Sequence, residues 1–237
     1  MRLATVTIQR FRLFSVVLLL VLVPIVNFLA EEDPLENPPI AAVQTQPSQP
    51  PQGEINIVVK IPERVLELHD STGLYKKYRI AVGKSETPTP IGDFKVVWKD
   101  YNWGTGFGTR WMGINVPWGI YGIHGTNKPW SIGKYASHGC IRMRNSDIEQ
   151  LFEWVPLGTI VRIEGPINKV KRELKHKMSG QDVVLLQRKL KDMGYLSDRA
   201  DGIFGKATEE AVKKYQEANN LQPTGVVDNG LVNLLQI

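Results

Sequence analysis

The chain has one cysteine and four histidines among its 237 residues. A single thiol has no intrachain partner, so a fold stapled by disulfides is excluded. A lone cysteine is often no more than a small buried hydrophobe, and its neighbours decide whether it is more than that. Charge of either sign is also modest. The net value of +5 and a pI near 9.2 suit an anionic polymer, a membrane surface or nucleic acid, and equally suit an ordinary soluble protein. With 42% hydrophobic and 22% charged residues, the chain has the means to build a real core.

What is present begins at the N-terminus. Arg2, Arg10 and Arg12 precede an uncharged run from Leu13 to Ala30, which ends at Glu31-Glu32-Asp33. A basic flank followed by an apolar stretch is an export pattern, with the basic side left in the cytoplasm. The run falls between a signal-peptide core and a span of roughly 20 residues. Phe28-Leu29-Ala30 is a poor small-x-small cleavage site, so residues 1–30 are expected as an export signal or, with slight preference, an uncleaved membrane anchor. Residues 31–53 hold Pro34, Pro38, Pro39, Pro47, Pro50 and Pro51 with several Gln, and read as a stiff linker.

Residues 54–165 read as mainly β. Ile55 to Ile61 is β-branched. Arg64–His69 and Tyr75–Val82 flank the turn Asp70-Ser71-Thr72-Gly73 as a hairpin, and Asp93–Trp98 and Thr159–Ile163 supply further strands. Such spacing predicts a sandwich-like or barrel-like sheet. One helix interrupts it: Ile148, Leu151, Phe152 and Val155 share a face, and Ser146 with Glu149 forms a capping box. The basic stretch 166–177 reads as a linker. In residues 178–237, the stripes Val183/Leu186/Leu190/Met193, Ala207/Ala211/Val212/Tyr215 and Leu231/Leu234/Leu235 predict a small three-helix all-α domain.

The chemistry concentrates in His124-Gly125 and Ser137-His138-Gly139-Cys140-Ile141-Arg142. A thiol is only a few per cent thiolate at neutral pH and needs a base or cation beside it. Two of the four histidines lie close in sequence to the one cysteine. Gly139 lets backbone approach a substrate and frees amides for an oxyanion. In an extended chain Arg142 projects to the same side as Cys140, where a guanidinium can hold a carboxylate. Two readings stay open on the residues alone. His124, His138 and Cys140 number enough to ligate zinc, though a fourth ligand or catalytic carboxylate is missing. Taken alone, Cys140 also reads as a structural thiol, which leaves a binding protein without chemistry.

This pattern, with Thr89-Pro90-Ile91-Gly92-Asp93-Phe94 upstream, resembles the L,D-transpeptidases of the YkuD type over about residues 55–164. Residues 178–236 are similar to a common peptidoglycan-binding domain, through Gly180-Gln181-Asp182-Val183, Gly194-Tyr195, Asp201-Gly202-Ile203-Phe204-Gly205 and Thr224-Gly225-Val226. The resemblance implies a sandwich-like catalytic domain with Cys140 as nucleophile and His124 as proton acceptor and donor. It implies that Gly125 orients the ring through its carbonyl, that His138 shapes the pocket, and that the amides around His138 and Gly139 form the oxyanion hole. Arg142 and Ser137 are expected to bind substrate. It further implies 3→3 cross-linking of stem peptides through a thioester with release of D-alanine, and acylation by carbapenems. Hydrolysis of the same thioester, as a carboxypeptidase or endopeptidase, is the near alternative. Stem peptides and the wall polymer (through residues 178–237) are the expected partners, with the membrane engaged by the N-terminal segment. No cofactor, metal or nucleic acid is expected, and the setting is outside the cytoplasm, anchored or secreted.

Overall fold

The computed structural model describes residues 49–237. The expected export segment and most of the Pro-rich linker lie outside them. Among the described residues no helix is long and apolar enough to cross a membrane.

The N-terminal lobe of the described residues is built on one eight-stranded sheet. Its strands are β1 (Asn56–Lys60), β2 (Val65–Asp70), β3 (Gly73–Arg79), β5 (Gly92–Tyr101), β6 (Arg110–Ile114), β7 (Tyr121–His124), β9 (Ile141–Arg142) and β10 (Ile160–Glu164). Their order is β3-β2-β1-β10-β5-β6-β7-β9, and β4 (Val82–Gly83) pairs separately with β8 (Tyr135–Ser137). The expected sandwich-like packing is thus a single mixed sheet that curls. Bulges between Val96 and Trp98 and between Leu68 and His69 supply extra twist, so one sheet encloses its own apolar face. Reading strands one at a time does not say which of them join.

Alternation sets that face. Ile57 and Val59, Leu66 and Leu68, Phe94 and Val96, and Val161 and Ile163 are all buried in one core, with Glu67 and Arg162 between them on the other side. Helix α1 (Asn145–Trp154) closes the core with Ile148, Leu151 and Phe152, followed by Val155. It starts one residue before the expected Ser146 cap, and no side chain caps its N-terminus. Its other end is satisfied by Lys99, whose Nζ donates to the carbonyls of Phe152 and Val155.

Helices α2 (Gln181–Asp192), α3 (Lys206–Ala218) and α4 (Asn229–Leu235) make the C-terminal lobe. Val183, Leu186, Leu190, Ala211, Val212 and Tyr215 are buried as expected, whereas Met193 and Leu234 are exposed and Thr208 replaces Ala207 on the inner stripe. Two glutamines repeat one device. Gln187 accepts from the Gly202 amide at 2.8 Å and donates to the Ile203 carbonyl at 3.0 Å. Gln216 accepts from the Gly225 amide at 2.9 Å and donates to the Val226 carbonyl at 3.0 Å. Each buried carboxamide ties a helix to a following loop whose glycine has positive φ, 77° at Gly202 and 72° at Gly225.

Residues 166–177 are not a free linker. Val170 and Leu174 are buried in the C-terminal core. Leu174 exchanges two backbone hydrogen bonds with Val227, and the Lys177 amide donates to Phe204. Basic residues on the surface of this stretch hid its two apolar anchors. The lobes also touch: the Asp93 amide donates to the Ala200 carbonyl at 2.9 Å, and Arg188 donates to the Ile163 carbonyl at 2.9 Å.

Candidate active site

Parallel pairing of β7 with β9 brings the two halves of the motif together. Ile123 is in register with Ile141, and His124 with Arg142. Both isoleucines point into the core, at 0% and 1% exposure. The pleat therefore sends Gly122, His124, Cys140 and Arg142 to the opposite face. A Cβ at Gly122 would lie 2.6 Å from the Trp111 ring, and the Gly122 amide is directed at the sulfur.

His124 is buried, and its Nδ1 lies 2.5 Å from the Gly125 carbonyl. A carbonyl only accepts, so Nδ1 carries the proton and Nε2 keeps its lone pair. The ring is further fixed by stacking on Trp111, with centroids 5.4 Å apart and planes 20° from parallel, and by the edge of Phe107 at 5.0 Å. Burial pushes the imidazole pKa down to about 4. The backbones of Gly125 and Phe107 oppose that shift, and the Arg142 charge adds to it. Burial likewise pushes the Cys140 thiol up, against the Gly122 amide and the Arg142 charge. At neutral pH the pair rests as thiol and neutral imidazole, not as an ion pair.

Ser137 has a different place from the one expected. It is 1% exposed; its hydroxyl donates to the Cys140 carbonyl at 2.6 Å and accepts from the Gly139 amide at 3.0 Å. It fastens the loop that carries Cys140. The second of these bonds occupies the Gly139 amide. Gly139 is still required, since its φ is 113° and a Cβ there would lie 2.7 Å from the Tyr121 ring. His138 is exposed at the rim. Among the described residues no group of three or more His, Cys, Asp or Glu is placed to hold a metal ion, so the zinc set of His124, His138 and Cys140 is not assembled.

Arg142 is half-buried beside His124, and its Nε has no hydrogen-bond partner among the described residues. Trp111 is buried under His124, and Trp103 lies on Trp111 at 4.0 Å. Trp118 is elsewhere, edge-on to Phe94. Asn145 was not foreseen. Its Oδ1 accepts from the Thr126 amide at 3.0 Å and fills the space left by Gly108 and Gly125, where a Cβ would lie 2.2 and 2.3 Å from it. It holds the turn whose Gly125 carbonyl orients His124, and no local signal in the sequence marks it.

Residues 54–163 match the family model for the L,D-transpeptidase catalytic domain (YkuD), and residues 179–235 match that for a "Putative peptidoglycan binding domain". Over 107 residues the chain is 48% identical to the "Putative L,D-transpeptidase YkuD" of Bacillus licheniformis, covering 45% of this chain and 64% of that one. Its namesake in Bacillus subtilis is 45% identical over 108 residues, with 46% and 65% covered. The chain thus spans less than two thirds of the length of these curated relatives. Among solved structures, the catalytic domain of the Enterococcus faecium L,D-transpeptidase is 27% identical with a TM-score of 0.42, covering 48% of this chain and 98% of that one.

Proposed function

Starting from residues 54–163 as a YkuD-type L,D-transpeptidase catalytic domain and residues 179–235 as a peptidoglycan-binding domain, we propose that the protein cross-links cell-wall stem peptides through a thioester on Cys140. The observation that carries this reading is the His124 lock. With Nδ1–H spent on the Gly125 carbonyl, Nε2 is the free base on the face that also bears the sulfur.

In the first step Cys140 Sγ attacks the carbonyl of the third residue of a tetrapeptide donor, and its proton passes to His124 Nε2. The amides of His138 and Cys140 are the donors left for the oxyanion, since Ser137 holds that of Gly139. Collapse breaks the peptide bond, His124 returns the proton to the departing amine, and D-alanine leaves. In the second step an amine from a neighbouring stem attacks the thioester. His124 takes its proton and delivers it to the sulfur, giving a 3→3 link and free thiol. Arg142, charged and without a partner at Nε, holds the donor's carboxylate. The C-terminal lobe keeps the enzyme on its polymer and so raises the local concentration of substrate. Such a substrate places the protein outside the cytoplasm.

The test is product analysis with a tetrapeptide donor, with and without an added amine of the stem-peptide type. Dimer formed in proportion to acceptor, together with D-alanine, supports transfer. D-alanine with free tripeptide only, whatever the acceptor concentration, shifts the assignment to a hydrolase using the same thioester.

A further inference from the structure

We infer that Trp118 is a positioning residue, through which the C-terminal lobe holds the loop that carries the nucleophile. The inference rests on Cys140 being that nucleophile, as proposed above.

Trp118 lies in the connection between β6 and β7, in the catalytic lobe, yet its ring covers Gly202 of the C-terminal lobe. A Cβ at Gly202 would lie 2.5 Å from Cζ3 and 2.9 Å from Cη2 of the indole. Gly202 is not free to retreat, because its amide is held by Gln187 at 2.8 Å. The two hydrogen bonds from Asp93 to Ala200 and from Arg188 to Ile163 fix the lobes on the same side. Burial lowers the Arg188 pKa, as expected of a guanidinium held between two surfaces, and the Asp93 and Glu164 carboxylates oppose that shift.

The contact continues towards the chemistry. Gly119, next after Trp118, lies against one edge of Tyr121, where an added Cβ would be 2.7 Å from Cε2. The opposite edge of that ring lies against Gly139, where an added Cβ would be 2.7 Å from Cε1. Tyr121 is therefore wedged between the segment that bears Trp118 and the residue that separates His138 from Cys140. Burial raises the Tyr121 hydroxyl pKa, and the nearness of Cys140 adds to that shift. At both ends of the series a ring meets a glycine with no space for even one more carbon, so displacement at Gly202 has no slack in which to dissipate. A shift of about 1 Å in catalytic groups is enough to cost about 10²-fold in rate. The wall-binding lobe is in this sense part of the active-site support, besides being a tether.

The test measures the second-order rate constant for acylation of the full chain by a carbapenem, a probe too small to need the wall polymer. Circular dichroism establishes that each variant is folded at the assay temperature. Trp118→Ala and Gly202→Val are expected to slow acylation by about tenfold or more, and Trp118→Phe to stay within about threefold of wild type. Val232→Ala, a cavity in the same C-terminal core, is expected to lower stability and leave the rate unchanged. If Trp118→Ala fails to fold, Gly202→Ala is read in its place with the same expectation. Folded variants at Trp118 or Gly202 that react at the wild-type rate would overturn the positioning role, and so would equal slowing by Val232→Ala. A wild-type chain that takes no adduct would overturn the nucleophile assignment and the inference with it.

Discussion

The glutamine-held loops of the C-terminal lobe and the surroundings of His124 treat their buried polar groups in opposite ways. In the C-terminal lobe, Gln187 and Gln216 are 2% and 5% exposed, and each carboxamide both donates and accepts through well-formed bonds. In the catalytic lobe, His124 is buried with one nitrogen engaged and its pKa displaced, and Trp111 Nε1 and Arg142 Nε have no partner among the described residues. A satisfied network fixes a unique arrangement of loops. An incompletely satisfied one costs stability and leaves groups ready to engage a substrate. Ser137 belongs with the first kind, because its hydroxyl donates to the Cys140 carbonyl and accepts from the Gly139 amide.

The largest expected effect falls on the open network. Cys140→Ala should remove acyl transfer by roughly 10⁴-fold or more, and His124→Gln should cost about 10²–10⁴-fold, both measured as D-alanine release from folded protein. Little change in melting temperature in either variant would sharpen the contrast with the closed network.

Next comes the pH dependence of stability. His124 titrates at about 4 in the fold against an ordinary 6.5, so the unfolded chain binds more protons between these values. Stability is therefore full above pH 6.5 and is lost as pH falls towards 4, by roughly 3 kcal/mol from this one group. Urea titrations at pH 7 and pH 4.5 should show the loss, and His124→Gln should reduce it. An unchanged slope in that variant would remove His124 as its cause.

The closed network gives a smaller effect of a different kind. Gln187→Ala and Gln216→Ala each leave a buried glycine amide and a carbonyl without partners, at a cost of about 1–3 kcal/mol. Chemical denaturation should find similar losses for both. Only Gln187 holds the loop under Trp118, so acylation by a carbapenem should slow in Gln187→Ala and not in Gln216→Ala. The smallest expected effect is at Glu209, whose carboxylate meets Lys213 and His176 at the surface. Glu209→Gln should change stability by no more than about 1 kcal/mol.

Residues that act through their own chemistry were legible in the sequence. A lone thiol between a glycine and an arginine, with a histidine-glycine pair upstream, singled out Cys140, His124 and Arg142 as candidates, and strand pairing puts all three on one face. The core strands were legible because alternation is a local signal. Groups that act through close approach were not. Asn145 matters because two glycines distant in sequence leave it room, and Trp118 because a glycine some eighty positions away does the same. The bond between Ser137 and Gly139 was not legible for a related reason. Both bear polar groups in the right segment, and only the fold shows that they satisfy each other. The packed stretch 166–177 was hidden by lysines and arginines that face outward around Val170 and Leu174.

The most direct test of the central claim is intact-protein mass spectrometry of the reduced, folded chain after exposure to a carbapenem, followed by peptide mapping. The expected result is a single adduct on the peptide containing Cys140, absent from Cys140→Ala and formed far more slowly in His124→Gln. No adduct, or an adduct that persists in Cys140→Ala, would contradict it.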